Sequence, residues 1–163
     1  MANMIVRDAV PDDAPAIEAL YRQLVSNPAV SVLPERIDQV LQDPDTALLV
    51  CEHQSEVVGT ALISLCSDVM FQAQPFAVVE NIVVMQSFRH QGAGASLMKE
   101  IDVRCGRAQC SKIMLLSSIE RTEAHAFFER AGYTGSTKKG FVKYRRQFTP
   151  IQRPDEPSAQ ADP

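Results

Sequence analysis

Phe76-Ala77-Val78-Val79-Glu80-Asn81-Ile82-Val83-Val84-Met85, followed closely by Arg89-His90-Gln91-Gly92-Ala93-Gly94, is the stretch on which the fold turns. The first ten residues are nearly all apolar and read as a strand buried on both faces. After the second group, Leu97, Ile101, Cys105 and Ala108 fall on one stripe, which predicts a helix from Gly92 to about Ala108. A strand that ends in a short basic, glycine-containing turn and then starts a helix is a place to hold a phosphate. The first helical N–H groups have no partners inside the helix, and the helix dipole adds to their pull on an anion. Gly92 and Gly94 lack a Cβ and let an oxygen ligand approach the backbone. Arg89 adds a forked, permanently charged donor.

Two common phosphate turns do not fit. A mononucleotide P-loop closes with Lys and Ser or Thr, where this chain has Ala95-Ser96. A dinucleotide fingerprint wants a third glycine, where Leu97 stands.

Working outward, Ile5-Val6-Arg7 reads as a strand, and a helix begins at Pro11-Asp12-Asp13 with Ile17, Leu20, Tyr21 and Leu24 on one face. A second short helix runs from Pro34 to about Asp43. Thr46–Cys51 and Val57–Cys66 read as a hairpin. Beyond the central stretch, Lys112–Ser117 is predicted as a buried strand and Thr122–Ala131 as a helix. Gly132 stands where a left-handed helix end is expected. Tyr133-Thr134 and Phe141–Phe148 read as a last pair of strands. Residues 1–148 are expected to form a single domain, with a proline-rich tail outside the fold over 149–163.

A formal net charge of −4 and a pI near 5.4 argue against nucleic acid or a polybasic membrane surface as partner. No apolar run is long enough to span a bilayer. Met1-Ala2-Asn3-Met4-Ile5 lacks the features of a secretory signal. The four cysteines have no metal-type spacing and read as reduced, mostly buried hydrophobes of a cytoplasmic protein, with no metal expected.

The segment Arg89–Gly94 resembles the Arg/Gln-x-x-Gly-x-Gly/Ala signature of the GNAT acetyltransferases. A second stretch, Arg121-Thr122-Glu123-Ala124-His125-Ala126-Phe127-Phe128-Glu129-Arg130-Ala131-Gly132-Tyr133, is similar to that family's Ala-His-x-Phe-Tyr-Glu-x-x-Gly-Phe helix. The order β-α-α-β-β-β-α-β-α-β-β agrees with the family. The resemblance implies an α/β (α+β) fold with a mixed sheet of six or seven strands, splayed between the fourth and fifth and flanked by four helices. It also implies transfer of an acetyl group from acetyl-coenzyme A to a primary amine, in a ternary complex and without a metal.

By that resemblance the cofactor site comprises the backbone of Ile82, Val83 and Val84, the turn Arg89, His90, Gln91, Gly92, Ala93, Gly94, Ala95 and Ser96, and Ser117 and Phe128. The N–H of Val83 or Val84 is expected to face the thioester carbonyl. Glu80 is the candidate general base: a carboxylate in an apolar strand is expected to be desolvated and readier to accept a proton. Its bland alternative is an ion pair or solvent exposure, and Asn81 is expected to point to the opposite face. The general acid departs from the family, since Phe128 replaces the usual Tyr. Tyr133 is expected in the core, His125 in a structural role, and Ser117 or Ser118 as alternative donors. Acceptor walls are expected from Asn27–Leu33 and Ser67–Pro75. Lys138, Lys139 and Lys143 stand available for an anionic substrate or for solvent. A small-molecule amine is the expected acceptor, and a homodimer stays open. The competing readings are a non-catalytic acetyl-coenzyme A binding module and a protein or peptide N-acetyltransferase.

Overall fold

The computed structural model describes residues 4–149. Five strands form one sheet in chain order: β1 (Met4–Asp8), β2 (Thr46–His53), β3 (Glu56–Cys66), β4 (Phe76–Val84) and β5 (Ile113–Leu115). Neighbours from β1 to β4 are antiparallel, whereas β5 joins β4 in parallel. A parallel pair needs a crossover, and the helix α3 (Ala93–Arg107) supplies it.

Each face of the sheet carries its own core. Leu49, Cys51, Val58, Ala61, Ala77 and Val79 pack with Leu97, Met98 and Ile101 of α3. On the other face, Leu48, Val50, Val57 and Val83 pack with Ile17 and Leu20 of α1 (Ala14–Leu24) and Ile37 of α2 (Pro34–Leu41). Strand β2 is therefore apolar on both sides, which is why its sequence reads as a run rather than an alternation. Burying a side chain such as Ile101 contributes roughly 1.5–3 kcal/mol. Just ahead of α1, the Arg7 guanidinium grips the buried Asp13 carboxylate at 2.7 and 3.0 Å, and Val10 N–H adds a bond of 2.8 Å. Desolvation alone would raise the Asp13 carboxyl; these donors outweigh it and hold the group below the ordinary carboxylate range.

All four cysteines are free. Burial pushes the Cys51 thiol up to about 11. Burial, then the neighbouring Cys110, pushes Cys105 up to about 12. Both stay protonated hydrophobes, as their sequence context suggests.

The sheet differs from the expectation of six or seven strands by lacking the last pair. Helix α4 (Thr122–Arg130) ends with Gly132 at φ 91, where Gly132 N–H bonds Glu129 O and Tyr133 N–H bonds Phe128 O. That double bond pattern closes the helix in a Schellman motif and engages the Tyr133 N–H, so Tyr133 cannot start a ladder. Further on, Tyr144–Gln147 closes a local turn, with Gln147 N–H on Tyr144 O and Tyr144 N–H on Gln147 Oε1. Strand β5 spans only Ile113–Leu115 of the expected Lys112–Ser117 and offers a short edge to any further strand. Of the tail expected over 149–163, all but Thr149 lies outside the described residues.

Candidate active site

The centre of β4 is irregular. Gly59 and Thr60 of β3 oppose Val84 and Val83, while Leu62 opposes Glu80, so Asn81 and Ile82 share the place opposite Ala61. Asn81 absorbs this bulge with φ 54, in the left-handed region that Asn tolerates better than most residues. The extra residue changes which face each side chain meets. Leu62 packs on the α1/α2 core, and directly opposed residues share a face, so Glu80 lies on that side. Val83 lies there too, whereas Ile82 and Val84 pack toward α3.

Asn81 also belongs to the α1/α2 side, against the expectation of the opposite face. Its amide meets the Tyr21 phenol of α1, which is desolvated and raised, with the Asn81 amide and the Thr60 hydroxyl as its polar neighbours. Strict alternation fails here because a bulge has no sequence signature of its own. Tyr21 and Thr60 are the residues that sequence reasoning missed. Tyr21 was visible only as one member of an apolar helical stripe, and its polar tip was the available signal. Glu80 is exposed and forms no ion pair among the described residues. Its apolar strand neighbours therefore do not bury it.

The two edges of β4 are unlike each other. Toward β3 pairing continues to Val84; toward β5 it stops at Val79 opposite Leu115. From Glu80 to Val84 one edge of the strand has no neighbour among the described residues, which is the splay expected between the fourth and fifth strands. Past the end of β5, the Ser117 hydroxyl is buried without a partner among the described residues. An orphaned buried hydroxyl is costly unless something binds it.

After β4, a 3-10 turn at Gln86–Phe88 leads to the basic segment, and Phe88 stacks on His53 at 5.4 Å. Gln91 Nε2 donates to Ser87 O at 2.7 Å and staples the turn. Gly92 is the N-cap of α3 with φ 95, and no side chain caps the helix. The first helical bond runs from Ser96 N–H to Gly92 O, leaving the N–H groups of Ala93, Gly94 and Ala95 without helical acceptors. Arg89, His90 and Gln91 are exposed beside them. A Cβ on Gly92 would meet nothing within 4 Å, so this is the glycine that faces open space. Gly94 differs from expectation: its missing Cβ points at Phe127, whose Cζ would lie 3.0 Å away, and at Val84 Cγ2, 3.7 Å away. Gly94 therefore lets α4 pack on the start of α3.

Phe128 packs on Phe127 at 5.4 Å and on Tyr133 at 6.3 Å. The Tyr133 hydroxyl is buried without a partner among the described residues, and desolvation, then Asp102 and Cys105, push it up to about 12. It is a core residue, as expected. His125 Nε2 meets Ser118 O at 2.8 Å and ties α4 to the loop after β5, again a structural role. Gln86 N–H bonds Gln23 Oε1 at 3.2 Å, and Gln23, Met85, Gln86 and Ser87 line an open groove of about 380 Å³. This places the end of α1, and so the start of Asn27–Leu33, on the turn side of β4. Ser67–Pro75 sits at the other end: Pro75 O accepts from Ser111 N–H, and Gln74 donates to Gln109 O. Among the described residues no cluster is placed to hold a metal, and no helix is long and apolar enough to cross a membrane.

This arrangement has clear relatives. The chain is 26% identical over 133 residues to an aminoalkylphosphonate N-acetyltransferase of Salmonella typhimurium, covering 80% of this chain and 85% of that protein. Its fold superposes with a TM-score of 0.76 on a putative acetyltransferase from Agrobacterium tumefaciens, 26% identical, covering 86% of this chain and 99% of the other. An aminoglycoside N-acetyltransferase solved in complex with CoA has the same fold, with a TM-score of 0.74, 19% identity and coverage of 89% and 97%. The acetyltransferase (GNAT) family model matches residues 16–133, well over half of the chain. The splayed sheet, the uncapped helix start and these matches agree: this chain belongs to the GNAT acetyltransferase family and is an acyltransferase.

Proposed function

We propose that the enzyme moves an acetyl group from acetyl-coenzyme A to the primary amine of a small molecule, directly and within a ternary complex. The observation that carries this reading is the free edge of β4 from Glu80 to Val84, which runs straight into the uncapped start of α3. The free edge supports binding of the amide-bearing arm by strand-like bonds. The N–H groups of Ala93, Gly94 and Ala95, with Arg89 beside them, support binding of the pyrophosphate. The bound thioester supplies the activated acyl carbon. Glu80 takes a proton from the ammonium, directly or through water, and the free lone pair of the nitrogen forms the new C–N bond as the C–S bond breaks. The N–H of Val83 or Val84 stabilises the developing oxyanion. The Ser117 hydroxyl, buried just past the end of β5 with no partner among the described residues, supports a donor role. With Phe128 lacking a phenol and Tyr133 turned into the core, the thiolate leaves unaided or with Ser117 as its donor.

We read the acceptor as an amine that also carries an anion. Lys138, Lys139, Lys143, Arg145 and Arg146 form a basic segment that is exposed and in no ion pair among the described residues, in a chain of net charge −4. The aminoalkylphosphonate acetyltransferase relative points the same way. The test is thiol release from acetyl-coenzyme A against a panel of alkylamines, aminoalkylphosphonates, amino sugars and N-terminal peptides. Release with 2-aminoethylphosphonate in preference to ethylamine is expected. Release only with peptides, or with no amine, overturns the reading.

A further inference from the structure

Cys105 and Cys110 flank the end of α3, and the way that helix stops brings them together. Gln109 adopts φ 55, Gln109 N–H bonds Gly106 O at 3.1 Å, and Cys110 N–H bonds Cys105 O at 3.0 Å. This is the same pair of nested bonds that closes α4 at Gly132, a second Schellman motif. Cys105 sits in the last helical turn and Cys110 is the second residue past the cap, the two positions whose side chains meet in this motif. That contact is ordinarily made by two apolar groups; here both carry a thiol. Cys105 belongs to the α3 core at 2% exposure, and Cys110 packs on the same core from a partly exposed position. A direct backbone bond holds two Cα atoms roughly 5–6 Å apart, within the ~4.4–6.8 Å that a disulfide spans. The other two cysteines are placed differently: across the sheet Cys51 opposes Gly59 and Cys66 opposes Phe76.

We propose that Cys105 and Cys110 form an oxidative modification site, where a hydroperoxide converts the two thiols to a disulfide that staples the end of α3 to the lead-in of β5. Cys110, the partly exposed thiol, attacks first; burial keeps Cys105 protonated, so it enters only at the second step. The Cys110 thiolate attacks one peroxide oxygen, the O–O bond breaks, and a sulfenic acid forms as water departs. The Cys105 sulfur then attacks the sulfenic sulfur. The S–S bond forms, the S–O bond breaks, and the hydroxyl leaves as water with the Cys105 proton. The thiols together lose two electrons and two hydrogens, and one hydrogen peroxide becomes two waters. Directly after Cys110, Ser111 N–H bonds Pro75 O and Ala77 N–H bonds Lys112 O, so the bridge ties α3 to the strand that borders the splay. Cys105 lies about 18 Å down α3 from Ala93, which separates this site from the uncapped helix start.

The test is treatment of the folded protein with hydrogen peroxide, followed by intact mass, thiol titration and a trypsin digest without reductant. The expected product is a single chain about 2 Da lighter, with two of its four thiols lost and both regained with dithiothreitol. Cleavage after Arg104, Arg107 and Lys112 is expected to release Cys105-Gly106-Arg107 linked to Ala108-Gln109-Cys110-Ser111-Lys112. Cys110→Ser and Cys105→Ala are each expected to abolish the mass loss, and Cys66→Ser to keep it. The bridged protein is expected to melt a few degrees above the reduced one, because the bridge removes freedom from the unfolded chain. The linked peptides are read on the natural chain and so do not depend on how well either variant folds. Four thiols retained under peroxide, oxygen added to Cys110 without the linked pair, a bridge between chains through Cys66, or an unchanged melting temperature in the bridged protein overturns the proposal.

Discussion

The two halves of the molecule on either side of the splay are built to different standards. From β1 through α3 each strand is paired on at least one edge and both faces are filled; Leu97 and Ile101 are 0% exposed. Beyond β5 no residue of α4 is buried, and Ile119 and Phe141 are 88% and 86% exposed. The second half is held by a Schellman motif, the Phe127–Phe128–Tyr133 aromatic contacts and the His125–Ser118 bond. The difference follows from where apolar area is available. The first half closes two cores on one sheet, whereas the second has only the short edge of β5 and one side of α3 to lean on. Few buried contacts mean a low local free energy of opening, and an element bordering a binding cleft is a natural place for that.

The largest effect should come at the boundary itself. Glu80→Gln keeps shape but cannot take a proton, and turnover is expected to fall by about 10²- to 10⁴-fold with little change in acetyl-coenzyme A affinity. Full activity across pH 6 to 9 in kinetic assays would make Glu80 a surface residue. Ile101→Ala and Phe141→Ala compare the halves directly. Chemical denaturation should show the first losing roughly 2–5 kcal/mol and the second less than about 0.5 kcal/mol. A comparable loss at Phe141 would mean that the second half packs in solution and the contrast is not real.

The glycines of the turn sharpen the contrast further. Gly92→Ala places a Cβ at φ 95 in open space and should cost about 1–2 kcal/mol of strain, while weakening acetyl-coenzyme A binding through the shifted N-cap. Gly94→Ala pushes on the Phe127 ring, which α4 can yield, so its stability loss should be smaller. Differential scanning calorimetry orders the two, and a larger loss at Gly94 would show α4 to be the more rigid body. The smallest expected effect is that of Phe128→Tyr, where turnover should stay level or fall. Its ring packs between Phe127 and Tyr133, and an unpaired hydroxyl there costs roughly 1–3 kcal/mol. A clear gain in kcat would show that protonation of the thiolate limits the natural enzyme.

The sequence by itself determined most of the architecture. Four helices, the first hairpin, the strand-turn-helix around Arg89–Gly94 and the left-handed glycine at 132 are local features, each written in periodicity, caps or turn chemistry. The family motifs added the splay, which the pairing of β4 bears out. Only the tertiary structure decided the rest. The bulge at Asn81 arises from how β3 and β4 register, and it keeps Asn81 on the α1/α2 face beside Glu80. Tyr21 and Thr60 meet Asn81 from positions 60 and 21 residues earlier in the chain, a convergence that no local pattern encodes. The role of Gly94 depends on Phe127, thirty-three residues away. The last two strands failed for the same reason: Phe141–Phe148 has strand-like residues, but a strand forms only where an edge of sufficient length accepts its backbone bonds, and β5 provides three residues.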